Sequence, residues 1–130
     1  MKNSKIEYFI TLLDVNYLPQ LIALYDSLKT FEIEFHLIIL CLDNELFKFI
    51  EKENFTNIYL LKLEDFENNQ LKDKKKNRTK AEYCWTLTSW AIQWGLKMFP
   101  EAERITYLDC DLFFFKNPKI IFDEFDLSNK

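Results

Sequence analysis

Apolar residues follow two different patterns along the chain, one typical of strands and one typical of helices. Residues 6–13 and 35–42 are short, nearly continuous apolar runs rich in strand-forming side chains. Between them, apolar residues recur at intervals of three and four from Leu18 to Leu28, and Pro19 occupies a first-turn position that a helix tolerates. The pattern predicts a strand, a helix and a second strand. The second strand is expected to be central in a sheet, because it is apolar throughout.

The alternation of strand and helix continues after the second strand. Asp43 or Asn44 can cap a second helix, and residues 57–63 then predict a third strand. Because helices separate consecutive strands, the strands are expected to run parallel within one sheet.

The second half of the chain adds another helix and another strand. Thr79 followed by Glu82 is a capping-box pattern, in which each side chain satisfies the other residue's free amide, and Pro100 ends the helix that starts there. Residues 104–108 predict a fourth strand, and residues 120–125 predict a short helix.

These elements together predict an α/β fold, a Rossmann-like open parallel sheet in the order 3-2-1-4 with helices on both faces. Residues 1–130 show no internal domain boundary and are expected to form one domain. Residues 64–80 are polar and weakly periodic, so they are expected to form a mobile charged loop.

The composition is consistent with a packed core and excludes several classes of protein. Hydrophobic residues make up 48% of the 130 positions, which is enough to build such a core. Since Gly95 is the single glycine, a glycine-rich phosphate loop or dinucleotide fingerprint is excluded. One histidine, His36, and three scattered cysteines show neither zinc-binding spacing nor a disulfide scaffold.

No stretch of the sequence has the features of a membrane span or a signal peptide. The longest strongly apolar run is residues 35–42, whereas a membrane helix needs about 20 apolar residues. Glu7 and Asp14 bracket an apolar stretch that is too short for the core of a signal peptide. We therefore expect a cytoplasmic protein with free thiols and no transmembrane segment.

The net charge of −4 argues against nucleic acid as a partner, because nucleic-acid binding needs a basic face. Residues 72–80 are locally basic, with six cations and one anion. Solvation of an exposed segment explains such a charge run without any specific role.

The sequence Asp109-Cys110-Asp111 follows the fourth predicted strand. If the chain is extended there, both carboxylates point to the same side and can share one divalent cation. Mg²⁺ and Mn²⁺ prefer oxygen ligands and keep open positions for substrate phosphates, so two carboxylates could anchor a nucleotide diphosphate. An Asp-x-Asp pair is common by chance, so its context has to supply the specificity.

The predicted topology supplies part of that context. In the order 3-2-1-4, strands one and four are neighbours, and ligands bind at the carboxyl ends of strands where the winding reverses. Asp14, Asn16 and Tyr17 would then lie beside the two aspartates, with Tyr17 able to stack on a base. A simple loop with a helix cap explains the same three residues equally well.

Three stretches resemble one family of enzymes. The sequence from Thr106 to Pro118, continuing to Phe122, resembles the DxD region of GT-A-fold glycosyltransferases. Residues 82–88 resemble the helix before this motif in bacterial sugar-nucleotide transferases, and residues 9–17 are similar to the base-binding strand and loop of family-eight-like members. The three stretches occur in the family's order across nearly the whole chain.

The resemblance implies transfer of a sugar from a nucleotide-sugar donor, most simply a UDP-sugar, to a saccharide or lipid-linked acceptor. By motif match, Asp109 and Asp111 would bind Mn²⁺ or Mg²⁺. Arg78 or Lys80 would assist if the charged loop closes over the donor. The implied donor-binding residues are Thr11, Asp14, Asn16, Tyr17, Arg78, Lys80, Asp109 and Asp111.

The chain is considerably shorter than the enzymes it resembles. The portion that it lacks carries their acceptor site and often a histidine that binds the metal, a role for which His36 is unsuited in the middle of an apolar strand. We therefore expect an amino-terminal part of such an enzyme, possessing the donor half and self-associating through apolar surface. Catalytic residues cannot be assigned from this sequence.

Two other functions are compatible with the carboxylate pair. In haloacid-dehalogenase-like phosphatases, an Asp-x-Asp pair supplies a nucleophile and an acid, but Phe113 stands where those enzymes usually have Thr or Val. In a non-catalytic nucleotide-binding or assembly module, the same carboxylates would merely cap a turn or bind a structural metal.

Overall fold

The structure of the chain is a computed structural model that describes residues 6–67 and 69–128. The strands are β1 (Glu7–Leu13), β2 (Phe35–Cys41), β3 (Ile58–Lys62) and β4 (Ile105–Tyr107). The helices are α1 (Leu18–Thr30), α2 (Asn44–Glu53), α3 (Leu63–Phe66), α4 (Asn69–Lys76), α5 (Lys80–Met98) and α6 (Lys119–Ser128).

The four strands form one open parallel sheet in the order β3-β2-β1-β4. Glu7 of β1 pairs with Phe35 of β2, and Tyr8 pairs with Ile105 of β4. β1 and β2 are therefore central, as expected from their nearly continuous apolar sequences. The predicted α/β class, parallel sheet and strand order are confirmed.

Alternate residues of β1 divide the core into two layers. Phe9 and Leu13 face a layer that includes side chains of α1, α2 and α6, whereas Tyr8 and Ile10 face a layer that includes side chains of α4 and α5. This division follows from the two-residue period of a strand, which sends neighbouring side chains to opposite faces. Helices therefore cover both faces of the sheet.

The longest helix begins at the predicted capping box. The Thr79 amide donates to Glu82 Oε1 at 3.0 Å, and the Glu82 amide donates to Thr79 Oγ1 at 3.2 Å. The Thr79 amide and hydroxyl also lower the pKa of the Glu82 carboxyl group, because they stabilise its charged form. These reciprocal bonds fix the start of α5.

Gly95 lets α5 approach the sheet closely. A Cβ atom at this position would lie 2.7 Å from Cδ1 of Ile105 in β4 and 3.9 Å from Cδ1 of Ile38 in β2. The single glycine therefore has a packing role on the buried side of a helix rather than a role in a phosphate loop.

Residues 64–80 differ from the loop that the sequence predicts, because this region contains most of α3 and all of α4. Leu71 is fully buried among the side chains of the α4 and α5 layer, and it anchors an otherwise polar helix. The Tyr83 hydroxyl donates to Glu67, and Lys75 Nζ lies 3.8 Å from the same carboxylate. Because this segment contains few apolar residues, its sequence pattern did not indicate these helices. The mobility of the segment stays a prediction.

Two further observations concern surface and membrane properties. The apolar side chains of α5 are not all buried, since Trp85 is 72% exposed. In residues 6–67 and 69–128, no helix combines the length and the apolar character required to span a bilayer.

An ion-pair cluster fastens α6 to the amino end of the sheet. Arg104 donates to both carboxylate oxygens of Glu7, at 3.1 and 3.0 Å, and to Asp126 Oδ1 at 2.9 Å. Its guanidinium carbon also lies 4.7 Å from the centre of the Phe122 ring. One mostly buried cation thus joins β1 to α6, a helix that follows it in sequence.

Candidate functional site

The carboxyl ends of β1 and β4 lie side by side, as the predicted topology requires. Ile10 pairs with Tyr107, and the Leu108 amide donates to the Ile10 carbonyl at 2.9 Å. Asp109 is the residue after Leu108, and Asp14 is the residue after the last residue of β1. The fold therefore brings the two predicted polar segments to the same edge of the sheet.

The loop after β1 is a short 3₁₀ helix from Val15 to Tyr17. Asp14 caps it, because Asp14 Oδ1 accepts the Asn16 amide at 3.0 Å. Asn16 is exposed, and Tyr17 is 51% exposed. Both the helix-cap role of Asp14 and the availability of Tyr17 for stacking agree with the geometry.

Asp43 fastens this loop to the neighbouring strand end through a contact that could not be predicted from the sequence. Its Oδ2 accepts the Val15 amide at 3.0 Å, while its Oδ1 accepts the Leu46 amide at 2.8 Å as the cap of α2. One carboxylate therefore holds the β1–α1 loop against the start of α2. The cap was predictable from sequence pattern, but the link to a residue 28 positions away was not.

Asp109 and Asp111 lie in a turn rather than in an extended strand. β4 ends at Tyr107, and the Leu112 amide donates to the Asp109 carbonyl at 3.1 Å, which closes a four-residue turn. The expectation that extended geometry aligns the two carboxylates was therefore wrong, because the chain bends immediately after the strand. Both side chains are exposed.

Three nearby carboxylates influence the thiol of Cys110, which lies between Asp109 and Asp111 in the turn. Burial raises the pKa of the Cys110 thiol, and the negative charges of Asp111, Asp109 and Asp14 raise it further. The charges of Asp14 and of both aspartates of the turn therefore all act on this thiol. Because its pKa is raised, this cysteine is a poor nucleophile.

Helix α5 contributes side chains to the same edge. Burial raises the pKa of the Tyr107 hydroxyl, a hydrogen bond with Thr88 of α5 opposes that rise, and Asp109 adds to it. Thr88 also donates to the Cys84 carbonyl at 2.9 Å. The helix motif and the carboxylate turn, recognised separately in the sequence, thus meet at Tyr107.

Thr11 is placed differently from the other candidate residues. It is fully buried within β1, and its hydroxyl has no hydrogen-bond partner among the described residues. An unpaired buried hydroxyl is uncommon and costs free energy. The side chain has no solvent-exposed surface through which a nucleotide could contact it in this conformation.

The candidate cations lie at the start of α5. Arg78 is exposed, and its charge contributes to lowering the pKa of the Glu82 carboxyl group. Lys80 is the first residue of α5, and its side chain lies outside the described part of the structure. Lys74 Nζ lies 5.9 Å from the centre of the Trp90 ring, so part of the basic run covers α5.

A polar cleft lies beside the fastened loop, at the carboxyl ends of β2 and β3. Its volume is about 190 Å³. It includes Asp43, which connects the cleft to Val15 of the first loop. Its lining residues are Cys41, Leu42, Asp43, Asn44, Lys62, Leu63, Glu64 and Glu67.

The carboxylates of Asp109 and Asp111 are suited to bind a cation that a ligand also coordinates. Within residues 6–67 and 69–128, no group of three or more His, Cys, Asp or Glu side chains is arranged to hold a metal ion. Mg²⁺ is commonly bound by one or two carboxylates together with substrate phosphates and water, and two exposed aspartates on a turn fit that mode. His36 lies elsewhere, with its ring 5.2 Å from that of Tyr8.

An open parallel sheet in this order, with polar loops at the carboxyl ends of β1 and β4, defines a Rossmann-like α/β protein of the GT-A type. The chain belongs to glycosyl transferase family 8, whose model matches residues 9–130. The match includes every candidate site residue named above.

Two uncharacterised proteins of Bacillus subtilis strain 168 are similar in sequence. YfnF is 35% identical over 115 residues, which cover 88% of this chain and 38% of YfnF. YfnD is 31% identical over 117 residues, which cover 90% of this chain and 38% of YfnD. The chain therefore spans well under half the length of these relatives.

Replacing Asp43 with alanine should lower the free energy of unfolding by about 2 kcal/mol, because α2 loses its cap and the Val15 amide loses its acceptor. Urea denaturation measures the change. Asp26→Ala, which removes an exposed carboxylate from α1, is the matched control and should cost at most about 0.5 kcal/mol. Equal unfolding midpoints for the two variants would contradict the fastening role of Asp43.

Proposed function

We propose that the chain is the nucleotide-sugar-binding part of a metal-dependent glycosyltransferase, with a UDP-sugar as donor and a saccharide or lipid-linked acceptor. The observation that carries the proposal is that Asp14 and the turn of Asp109 and Asp111 follow the paired carboxyl ends of β1 and β4. Membership of glycosyl transferase family 8 supports it.

Asp109 and Asp111 are the residues proposed to hold Mn²⁺ or Mg²⁺, the kind of ion that this family generally uses. A bound divalent ion would stabilise the negative charge that develops on a departing diphosphate without any proton transfer. The turn keeps both carboxylates exposed, so they remain accessible to a donor that arrives with its own phosphate ligands.

The loop after β1 is proposed to bind the nucleoside. The exposed Tyr17 ring offers a face on which a base can stack, and the exposed Asn16 offers an amide for hydrogen bonding. Asp43 positions both residues by holding Val15, the first residue of the 3₁₀ helix. Arg78 and Lys80 are proposed to pair with the diphosphate when the segment before α5 closes.

Thr11 has a smaller part in this proposal than the sequence suggested. Since its side chain is fully buried, contact with uridine requires that the surrounding side chains move apart. We therefore propose that Thr11 lies beneath the nucleoside site rather than within it.

Isothermal titration calorimetry with UDP tests the proposal, with one titration in Mn²⁺ and one in EDTA. We expect UDP to bind at least tenfold more tightly in Mn²⁺ than in EDTA, which corresponds to a difference in binding free energy of about 1.4 kcal/mol or more. UDP binding of equal strength in both buffers would contradict the metal-dependent site.

The same titrations separate the alternatives. A non-catalytic nucleotide-binding or assembly module is expected to show no metal-dependent binding of UDP. A haloacid-dehalogenase-like phosphatase would release phosphate from a general phosphomonoester in Mg²⁺ without binding UDP. Phe113, which is 49% exposed, occupies the position where such enzymes usually have Thr or Val, and this disfavours that chemistry.

A further inference from the structure

The polar cleft at the carboxyl ends of β2 and β3 lies apart from the residues proposed to bind the donor. Its walls are formed by the start of α2 and by α3 with the residue that follows it, Glu67. The middle of β2 and β3 is two and a half strand spacings from β4, or roughly 12 Å in the plane of the sheet. A ligand in the cleft and a cation at Asp109 and Asp111 would therefore occupy different places on one edge of the sheet.

Glu67 lines the cleft with a mostly buried carboxylate. Only 9% of the surface of its side chain is exposed. The Tyr83 hydroxyl donates to Oε2, and Lys75 Nζ lies 3.8 Å from the same oxygen. In the part of the chain that the structure describes, no group donates a hydrogen bond to Oε1. Because a mostly buried carboxylate is stabilised by each hydrogen bond it accepts, the cleft favours a ligand that donates one there.

Two further residues supply hydrogen-bond donors to the cleft. Lys62 ends β3, and its Nζ lies 4.7 Å from the centre of the Phe47 ring, which restrains the ammonium group. Asn44 is the first residue of α2, where a helix leaves backbone amides without an internal acceptor, and its exposed side chain adds another amide. The cleft therefore combines several donors with a carboxylate acceptor.

The charges of the cleft disfavour ionic ligands. Glu64 and Glu67 repel an anion, and Lys62 repels a cation. Asp43 is already committed, because each of its oxygens accepts a backbone amide. Burial, together with the charge of Asp43, raises the pKa of the Cys41 thiol to about 12, so the thiol stays protonated and is a poor metal ligand. These groups fit a neutral molecule that both donates and accepts hydrogen bonds.

The size of the cleft limits such a molecule to a single ring. The cleft volume of about 190 Å³ is below the range of about 300–1,000 Å³ that is usual for drug-sized ligands. A sugar ring is neutral and small, and each of its hydroxyl groups can both donate and accept a hydrogen bond. It therefore matches the cleft in size, in charge and in hydrogen-bonding capacity.

We propose that the polar cleft binds one neutral sugar ring, in a saccharide site distinct from the donor site. One hydroxyl of the ring donates to Glu67 Oε1, and other hydroxyl oxygens accept from Lys62 Nζ and from Asn44. Because neighbouring side chains already restrain Glu67 and Lys62, little conformational freedom is lost on binding. The proposal depends on the cleft alone and is independent of metal and UDP binding.

Nuclear magnetic resonance titration of the isotope-labelled 130-residue chain with the methyl glycosides of glucose and galactose tests the site. At least one glycoside should shift the amide signals of Asn44, Glu64 and Glu67 with a Kd of about 1–10 mM, the range expected for a ligand of so few atoms. Cyclohexanol, a ring with one hydroxyl, should not shift them. Absence of these shifts with both glycosides at about 50 mM, or equal shifts with cyclohexanol, would overturn the proposal.

Two variants test the contacts within the cleft. Lys62→Met keeps an unbranched side chain over the Phe47 ring but removes the ammonium donor, so it should weaken sugar binding roughly fivefold or more. Glu67→Gln can still accept from Tyr83 through its amide oxygen, but it then presents a donor to the cleft in place of Oε1, with a similar loss. Lys48→Met, which removes an exposed lysine of α2 outside the cleft, is the matched control. Unchanged affinity in both cleft variants, with folding checked by circular dichroism, would contradict the assigned contacts.

A competition titration separates the saccharide site from the donor site. Because the two sites share no residue, sugar affinity should stay within about twofold when saturating UDP and Mn²⁺ are present. Displacement of the sugar by UDP would show that the cleft belongs to the nucleotide site, and the proposal would be wrong. If UDP itself does not bind, the donor site fails, whereas the sugar-induced shifts at Asn44, Glu64 and Glu67 still support the saccharide site.

Discussion

Arg104→Ala should lower the free energy of unfolding by about 3 kcal/mol. The substitution leaves the Glu7 carboxylate, which belongs to a residue only 7% exposed, without its guanidinium partner. It also releases Asp126 and the Phe122 ring, which hold α6 on the sheet. Breaking one side of a buried ion pair costs about 3–5 kcal/mol, and the partial exposure of Asp126 places this cluster at the lower end. Urea denaturation monitored by circular dichroism measures the loss.

Three further variants separate the ion pair from general effects of mutation. Arg104→Lys keeps the charge but not the two-pronged geometry, so it should cost about half as much. Arg78→Ala removes an exposed arginine and should change stability by at most about 0.5 kcal/mol. Adding Glu7→Gln to Arg104→Ala should recover stability, because it removes the unpaired buried charge. A double variant less stable than Arg104→Ala alone would contradict this account.

The elements that could be predicted from sequence are those set by local pattern. Three local patterns predicted elements whose ends lie within a few residues of the observed ones. They are the helical spacing that begins at Leu18, the capping box of Thr79 and Glu82, and the apolar run of β2. Each signal depends on neighbouring side chains or on caps within four positions, so no knowledge of the fold is required to recognise it.

Features that depend on distant contacts could not be predicted. Arg104 and Glu7 are 97 positions apart, and nothing in either sequence neighbourhood indicates the pair. α4 was predicted as a loop because its residues are mostly polar, although the buried side chain of Leu71 packs it against α5. In both cases tertiary packing, rather than local preference, decides the structure.

The sequence predicted the edge of the sheet at which Asp14, Asp109 and Asp111 lie, but not the conformation of the chain at Asp109. The order of the strands was sufficient to bring Asp14 near Asp109 and Asp111, because parallel strands present their carboxyl ends at one edge. The same reasoning assumed an extended chain at Asp109, whereas a turn begins there. Asp43 was recognised as a cap but not as the residue that holds the first loop.

Asp109→Asn and Asp111→Asn should each weaken UDP binding in Mn²⁺ at least tenfold, or by about 1.4 kcal/mol, if the proposed site is correct. Each substitution keeps the size of the side chain but removes the negative charge that attracts a divalent cation. Because both positions are exposed, the variants should unfold within about 0.5 kcal/mol of the original chain, so lost binding cannot be attributed to unfolding. Isothermal titration calorimetry measures the affinity in Mn²⁺ and in EDTA.

Asp26→Asn is the matched control for these variants, since it removes an exposed carboxylate from α1 and should leave UDP affinity unchanged. In EDTA, where the cation is absent, the two turn variants should bind UDP as weakly as the original chain, or slightly better, because charge repulsion from the diphosphate is reduced. The difference between the buffers therefore isolates the contribution of the cation from that of the side chains. Full metal-dependent affinity in both Asp109→Asn and Asp111→Asn would show that the turn does not bind the cation.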